Sequence, residues 1–232
     1  MAITPGGASQ TPAGTTLTNL KIEVARFVKA PNSTEILGVA ADGIEDGIRF
    51  MNSRPWEFNL TSEEITLVAD QKEYDIGATV KLPRHLECLD SSDVAAVRIP
   101  YVPVKDFLLG FQNRSNSSQP LAYTILNPYN YGQMTFSTAP NAAFVAKYPK
   151  VRHWFYRYIQ FPENDADVVD VPNDAERVIV WKAKCYIAEL YGNEKHISIA
   201  RSNFKEAWTE LKKQHRRDDA DWGRSYSNSR YW

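Results

Sequence analysis

The residues that could carry chemistry are few and scattered. His85, His153, His196 and His215 share no ligand spacing, and Cys88 and Cys185 stand far apart without a metal-binding pattern. Two reduced thiols are the default reading of such a pair. His196, two residues after Glu194 near a helix start, reads as a surface histidine rather than a ligand. Asp165, Asp167 and Asp170 repeat at the D-x-D spacing of calcium loops. Val168 and Val169 interrupt that run, no glycine makes the sharp turn, and no glutamate closes it at the right distance, so no metal is expected. The adjacent carboxylates Glu63–Glu64 and Asp218–Asp219 read as solvated. On a strand, neighbours face opposite sides, so Glu63 and Glu64 cannot converge on one substrate. There is no Walker or dinucleotide phosphate loop, no G-x-S-x-G elbow and no H-E-x-x-H. Neither a catalytic constellation nor a cofactor is expected.

Two further stretches raise nucleic-acid chemistry. Arg152–Tyr158 (RHWFYRY) interleaves aromatics with arginines, as a base-stacking surface would. Trp154, Tyr156 and Tyr158 also alternate as one strand face against Phe155 and Arg157, and that core or interface strand is the expectation. The basic run KKQHRR at 212–217 meets acidic DDAD at once. A DNA-binding reading needs unopposed cations. A capped helix end or an interface patch fits better.

The elements that would position these residues follow from periodicity. With 24% charged and 43% hydrophobic residues and a net charge of −1, the 232-residue chain has the composition of a soluble globular protein. No polyanion partner and no membrane span is expected from it. The first residues, MAITPGGASQTPAGTT, lack a basic region and an apolar core, and read as a flexible arm rather than a secretory signal. Residues 17–30 form a first helix, with Thr16 as cap and Pro31 as stop. Asn32 and Glu35 have capping-box spacing ahead of a second helix reaching about Ser53. Its apolar stripe is Ile36, Ala40, Ile44, Ile48 and Met51. Gly43 and Gly47 beside it allow close backbone approach to a neighbouring helix, and Asp42, Glu45, Asp46 and Arg49 cover the other side.

From Trp56 the texture changes to short strands. EEITLVAD and KEYDI read as a hairpin about Asp70–Gln71. HLECLD, VAAVRIP, LAYTIL, GQMTFS and HWFYRYIQF continue the series, with a short helix in VPVKDFLLGFQ. Two long helices then form an antiparallel hairpin. The first carries Ile179, Val180, Ala183, Ile187, Leu190 and Tyr191, is capped by Asp174 or Asn173, and closes at Gly192 in a left-handed conformation. The second carries Ile197, Ala200, Phe204, Ala207, Trp208 and Leu211. The fold class is α+β: a helical bundle formed by both ends of the chain, with an inserted β-rich domain. Its parts are an arm over 1–16, a bundle domain over 17–55 and 173–217, a β-rich insert over 56–161, an acidic linker over 162–172, and a tail over 218–232. That tail, DDADWGRSYSNSRYW, is poor in aliphatics but carries Trp222, Arg224, Tyr226, Arg230, Tyr231 and Trp232. Such residues anchor interfaces. The tail is either a frayed terminus or an arm that folds into a partner.

Several of these stretches, in this order, resemble the head–tail adaptor (connector) proteins of tailed bacteriophages, the tail-tubular-protein-A-like group. They are FMNSRPWEFNL at a helix end, QKEYDI followed by LPRHLECLD, the helix VPVKDFLLGF, and FPENDADVVDVPNDAERVIVWKAKCYIAELYGN with the last helix after it. The spacer GATVK departs from the family's pattern. The resemblance covers about 17–215. It implies a non-enzymatic virion protein of the neck, assembled in the host cytoplasm as a homo-oligomeric ring, a dodecamer, below the portal protein. The tail residues would then meet the portal, and the β-rich part would face the downstream tail or nozzle protein. Double-stranded DNA would pass through the channel without sequence-specific binding. Asp42, Glu45, Asp46 and Arg49 would line that channel or meet a neighbouring subunit. The alternatives are another neck or tail-completion (stopper) protein and, further off, a tail-associated hydrolase using paired carboxylates.

Overall fold

The computed structural model describes residues 15–76, 80–111, 118–126 and 132–215. Among these are six helices and seven strands in two sheets, a mixed α+β architecture. The chain divides into two compact units. One takes the described parts of 1–58 and 159–232, the other those of 59–158.

The first unit is helical. Helix α1, Leu17–Phe27, is capped by Thr16, whose Oγ1 accepts from the Asn19 amide. It stops short of Pro31, because the Lys29 and Ala30 amides turn back to Arg26 and Ala25 with Lys29 at φ 62°. Helix α2, Thr34–Met51, is capped by Ser33, whose hydroxyl accepts from Ile36. The capping box expected at Asn32 and Glu35 does not form: the cap is one residue later, and the residue three on from it is Ile36, which cannot reciprocate. Asn52 is the hinge of the exit: its side chain bonds both the amide and the carbonyl of Ile159. Helix α5, Asn173–Tyr191, follows Pro172 with no side-chain cap, so neither Asp174 nor Asn173 serves as one. Gly192 after it is not left-handed (φ −90°). A Cβ there would lie 2.5 Å from the Ala188 carbonyl oxygen, so close approach rather than handedness demands glycine. Helix α6, Glu194–Gln214, is capped by Asn193. Arg177 bonds Glu210 and Glu189 bonds Arg201, a pairing that sets α5 and α6 antiparallel.

One apolar core joins these helices through Leu20, Val24, Ile44, Met51, Val178, Ile179, Ile187 and Leu211. Gly43 and Gly47 do what their spacing suggests. A Cβ on Gly43 would sit 3.2 Å from the Ala183 backbone, and one on Gly47 only 2.9 Å from the Ile179 oxygen. The α2 and α5 backbones touch there, which raises dispersion contact per residue. Residues 162–172 are packed rather than strung out. Val169 and Val171 are buried in this core, and the carbonyls of Asp167 and Asp165 accept from the first amides of α1, Leu17 and Thr18.

The second unit contains strands β1 (Leu60–Thr66), β2 (Glu73–Asp75), β3 (Val80–Leu89), β4 (Ala95–Pro100), β5 (Tyr123–Leu126), β6 (Gln133–Phe136) and β7 (Lys150–Arg157). It also holds helices α3 (Val104–Phe111) and α4 (Ala142–Lys147). The sheets run β1-β7-β3-β4 and β2-β6-β5, all neighbours antiparallel. The hairpin expected between β1 and β2 does not form. Asp70 turns at φ 64°, Leu67 and Asp70 donate to Pro149 and Pro140, and β2 leaves to pair with β6 in the other sheet. Tyr74 ties the crossing by bonding both backbone groups of Val68. Helix α4 has no counterpart in the periodicity reading. Its cue is Asn141 after Pro140, whose side chain caps Phe144. Leu86, Cys88, Val151 and Phe155 from one sheet share a core with Tyr74, Ile125, Met134 and Phe136 from the other.

Candidate assembly surfaces

On α2, Asp42 is exposed, and Glu45, Asp46 and Arg49 lie along the same outer side. The structure partly neutralises this row. Arg49 bonds Glu45 at 2.6 Å, and Lys182 from α5 bonds Asp46 at 3.0 Å. Three carboxylates therefore face two cations, and the face is close to neutral rather than strongly acidic.

The stripe expected on α5 is buried only as far as Ile187 and Ala188. Leu190 and Tyr191 are 59% and 42% exposed, joined by Tyr186 on α5 and Ile199 on α6. The helical spacing was real, but the packing ends before the helix does. These exposed residues lie on either side of the α5–α6 turn. Glu35 accepts from the Tyr191 hydroxyl and holds its proton, raising the phenol above its ordinary range.

Trp222, Arg224, Tyr226, Arg230, Tyr231 and Trp232 lie outside the described residues, as do Arg216, Arg217, Asp218 and Asp219. What is described is the root they leave from. His215 closes α6, contacts Asp174 at 3.2 Å, and packs edge-on against Trp56 and Phe58. Trp208 continues that aromatic wall against Phe50 and Trp56, under Lys212. The cations of KKQHRR thus begin as helix-end partners of an aromatic cluster.

In the β unit, the outer face of the four-stranded sheet carries a charge row that periodicity alone did not reveal. Register places Glu64 beside Arg152, Arg152 beside Glu87, and Glu87 beside Arg98. Arg152 bonds Glu64 at 2.9 Å and Arg98 bonds Glu87 at 3.1 Å. Glu87 also accepts from the Trp154 indole at 2.8 Å. Burial raises the Glu87 carboxyl, but its hydrogen bonds to Trp154 and His85 and the charges of His85 and Arg98 outweigh that and hold it below its ordinary value. Burial leads the causes that lower the pKa of His85 beside it. A glutamate between Leu86 and Cys88, both in the core, was the available signal, because alternation sends it to the other face.

That register corrects the reading of Arg152–Tyr158. The core face of β7 is Val151, His153 and Phe155; Trp154 faces outward onto Glu87, while Tyr156 is buried beneath Arg84. Glu63 and Glu64 do diverge, the first to His153 and the second to Arg152. Burial pushes the Cys88 thiol up to about 12, far from a nucleophile's range. Among the described residues, no group of three or more His, Cys, Asp or Glu is placed to hold a metal ion, and no helix is long and apolar enough to cross a membrane. A recess along α6 holds Glu206 and Glu210, but both are paired with Arg177, so they do not offer a free acid and base.

The family model described as SU10 adaptor protein matches residues 15–230. The chain belongs to this family of phage head–tail adaptors. Among curated proteins no significant match is found. The adaptor family is structural, a component of the virion that works by contact with other phage proteins.

Proposed function

We propose that this adaptor forms a ring, a dodecamer, between the portal and the tail at the DNA exit channel of the virion. The family match along nearly the whole chain carries this reading. The exposed Leu190 and Tyr191 at the end of α5 support it, since apolar side chains left uncovered on a virion component offer a place for a partner. A closed ring needs two different faces on each subunit. The near-neutral α2 face with Asp42, Glu45, Asp46 and Arg49 suits a subunit contact better than a phosphate-repelling channel wall, because two of its three carboxylates are paired with cations. Trp222, Arg224, Tyr226, Arg230, Tyr231 and Trp232 extend from the His215 root to the portal. The β unit meets the downstream tail protein, and DNA passes without base-specific contacts. The chain performs no catalysis.

Size-exclusion light scattering of the full chain, alone and with purified portal, tests this reading. A ring-sized particle on the portal is expected. Deleting 218–232 should leave circular dichroism unchanged and abolish portal binding; normal binding by the truncated chain would refute the role of the tail. Charge reversal at Asp42 and Asp46 should weaken subunit association, and unchanged ring assembly would remove α2 from the contact.

A further inference from the structure

Among the described residues the four-stranded sheet ends at β1 and β4, and just past β4 Tyr101 bridges Tyr123 of the other sheet. β1 pairs with β7 over seven consecutive residues without a bulge, and its outer edge meets no other strand among the described residues. A regular open edge of that length is a template for another strand, and proteins that keep one usually cover it. β4 is blunted at both ends, by the irregularity near Ala96 and by Pro100, which leaves Val97–Ile99 as its usable edge.

We propose that copies of this chain join edge to edge, β4 of one beside β1 of the next, so that the sheet continues from subunit to subunit. This rests on the ring reading above and names the contact that closes it.

Three observations point the same way. The first is strand direction. Each neighbour in β1-β7-β3-β4 is antiparallel, so β1 and β4 run in opposite senses. Rotation about a ring axis then sets β4 of one copy antiparallel to β1 of the next. The three-stranded sheet cannot do this, because its edges β2 and β5 run the same way. The second is charge. The outer row reads Glu64, Arg152, Glu87, Arg98, negative and positive in turn, and ends with a cation at β4 and an anion at β1. Arg98 is 73% exposed and Glu64 42%. Arg98 makes one bond to Glu87 through a single nitrogen, and a guanidinium has five donors. Setting Arg98 against Glu64 of the neighbouring copy continues the alternation without a break. The third is apolar register. With those two opposite, antiparallel pairing sets Val97 against Ile65, both partly buried residues at the rim of the same core. Edge pairing would cover both.

The test is a disulfide that one chain cannot make. Glu64 and Arg98 lie on strands separated by β7 and β3, three spacings of about 4.8 Å or roughly 14 Å apart. A disulfide requires Cα atoms within about 7 Å. The doubly substituted full chain, Glu64→Cys with Arg98→Cys, is assembled on portal, oxidised and run without reductant. A ladder of cross-linked multimers that collapses to one band on reduction is expected, with each single substitution giving no ladder beyond a dimer. Light scattering of the same samples separates the outcomes. A ring-sized particle without the ladder overturns edge pairing and leaves the ring reading standing. No ring from the unsubstituted chain under any condition overturns the ring reading, and edge pairing with it. If the first pair fails to fold by circular dichroism, Ile65→Cys with Val97→Cys, one residue along the same register, gives the same readout.

Discussion

The two units are held together by different physics. In the helical unit, α2 and α5 approach until backbone meets backbone at Gly43 and Gly47, and one continuous apolar core runs through the helices. In the β unit, two small sheets share one core, while the outer face of the larger sheet is latched by charge. The first design fails by being pushed apart, the second by losing a shared filling or a latch. For a protein that works by contact, the difference matters. The helical unit offers its leftover apolar residues, Leu190 and Tyr191, and the β unit offers its edges.

The largest effect should come from emptying the shared core. Phe136 is fully buried on β6 and meets Tyr74 edge-on. Phe136→Ala should cost about 3–5 kcal/mol, transfer plus cavity. If the core is truly shared, amide exchange protection will fall in both sheets together. Loss confined to β2-β6-β5 would separate the sheets and break the comparison.

Next is Gly47→Val. Its Cβ alone would sit 2.9 Å from the Ile179 carbonyl oxygen and 3.2 Å from its Cα, backbone that cannot swing aside. Overpacking of this kind costs about 1–3 kcal/mol. Urea unfolding followed through Trp56, Trp181 and Trp208 should shift by that amount. Gly38, where an added Cβ meets nothing within 4 Å, is the control. Gly38→Ala should be neutral to slightly stabilising, since alanine outranks glycine in a helix by roughly 1 kcal/mol. Equal effects at the two sites would mean that the close approach is not what glycine is for.

These cases also show what the linear sequence could reveal. Elements whose stability is local were legible: the α2 stripe, Thr16 as a cap, the glycine pair, the α3 helix and the divergence of Glu63 from Glu64. Three helix-end details failed locally (the box at Asn32 and Glu35, the Asp174 or Asn173 cap and the left-handed Gly192), while the larger failures depended on partners distant in sequence. β1 and β2 look like a hairpin because only a short turn parts them, yet β1 pairs with β7, some 90 residues on (Glu63 with His153). Nothing in EEITLVAD encodes that choice; it follows from which sheet has a vacant edge. Leu190 and Tyr191 continue a helical stripe perfectly well, but whether another element covers them is not a property of α5. The charge row is legible only once three registers are known. Of the candidate surfaces, the α2 residues were found with their common side correct and their neutralisation by Lys182 unseen, because that lysine comes from another helix.

The smallest effect, and the sharpest on the latch, is the pH dependence of Glu87. Its folded carboxyl lies below its ordinary 4.5. The stabilisation is therefore complete above the unfolded value and is lost as pH falls through the folded one. His85 beside it behaves differently. Its folded value lies below the ordinary 6.5, so the unfolded chain binds that proton first, and stability begins to decline as pH drops below about 6.5. The β unit should thus weaken in two limbs, one starting near 6.5 and one below 4.5. Glu87→Gln keeps an acceptor for the Trp154 indole and should cost about 1 kcal/mol at neutral pH, the net scale of one typical hydrogen bond. It should erase the lower limb and keep the upper one, which begins at the unfolded value of His85 and is deepened when the carboxylate that favours its protonated form is gone. Urea midpoints followed through Trp154 between pH 3 and pH 7 would check this. A substituted protein whose acid profile still matches the parent below 4.5 would mean that Glu87 does not latch the sheet.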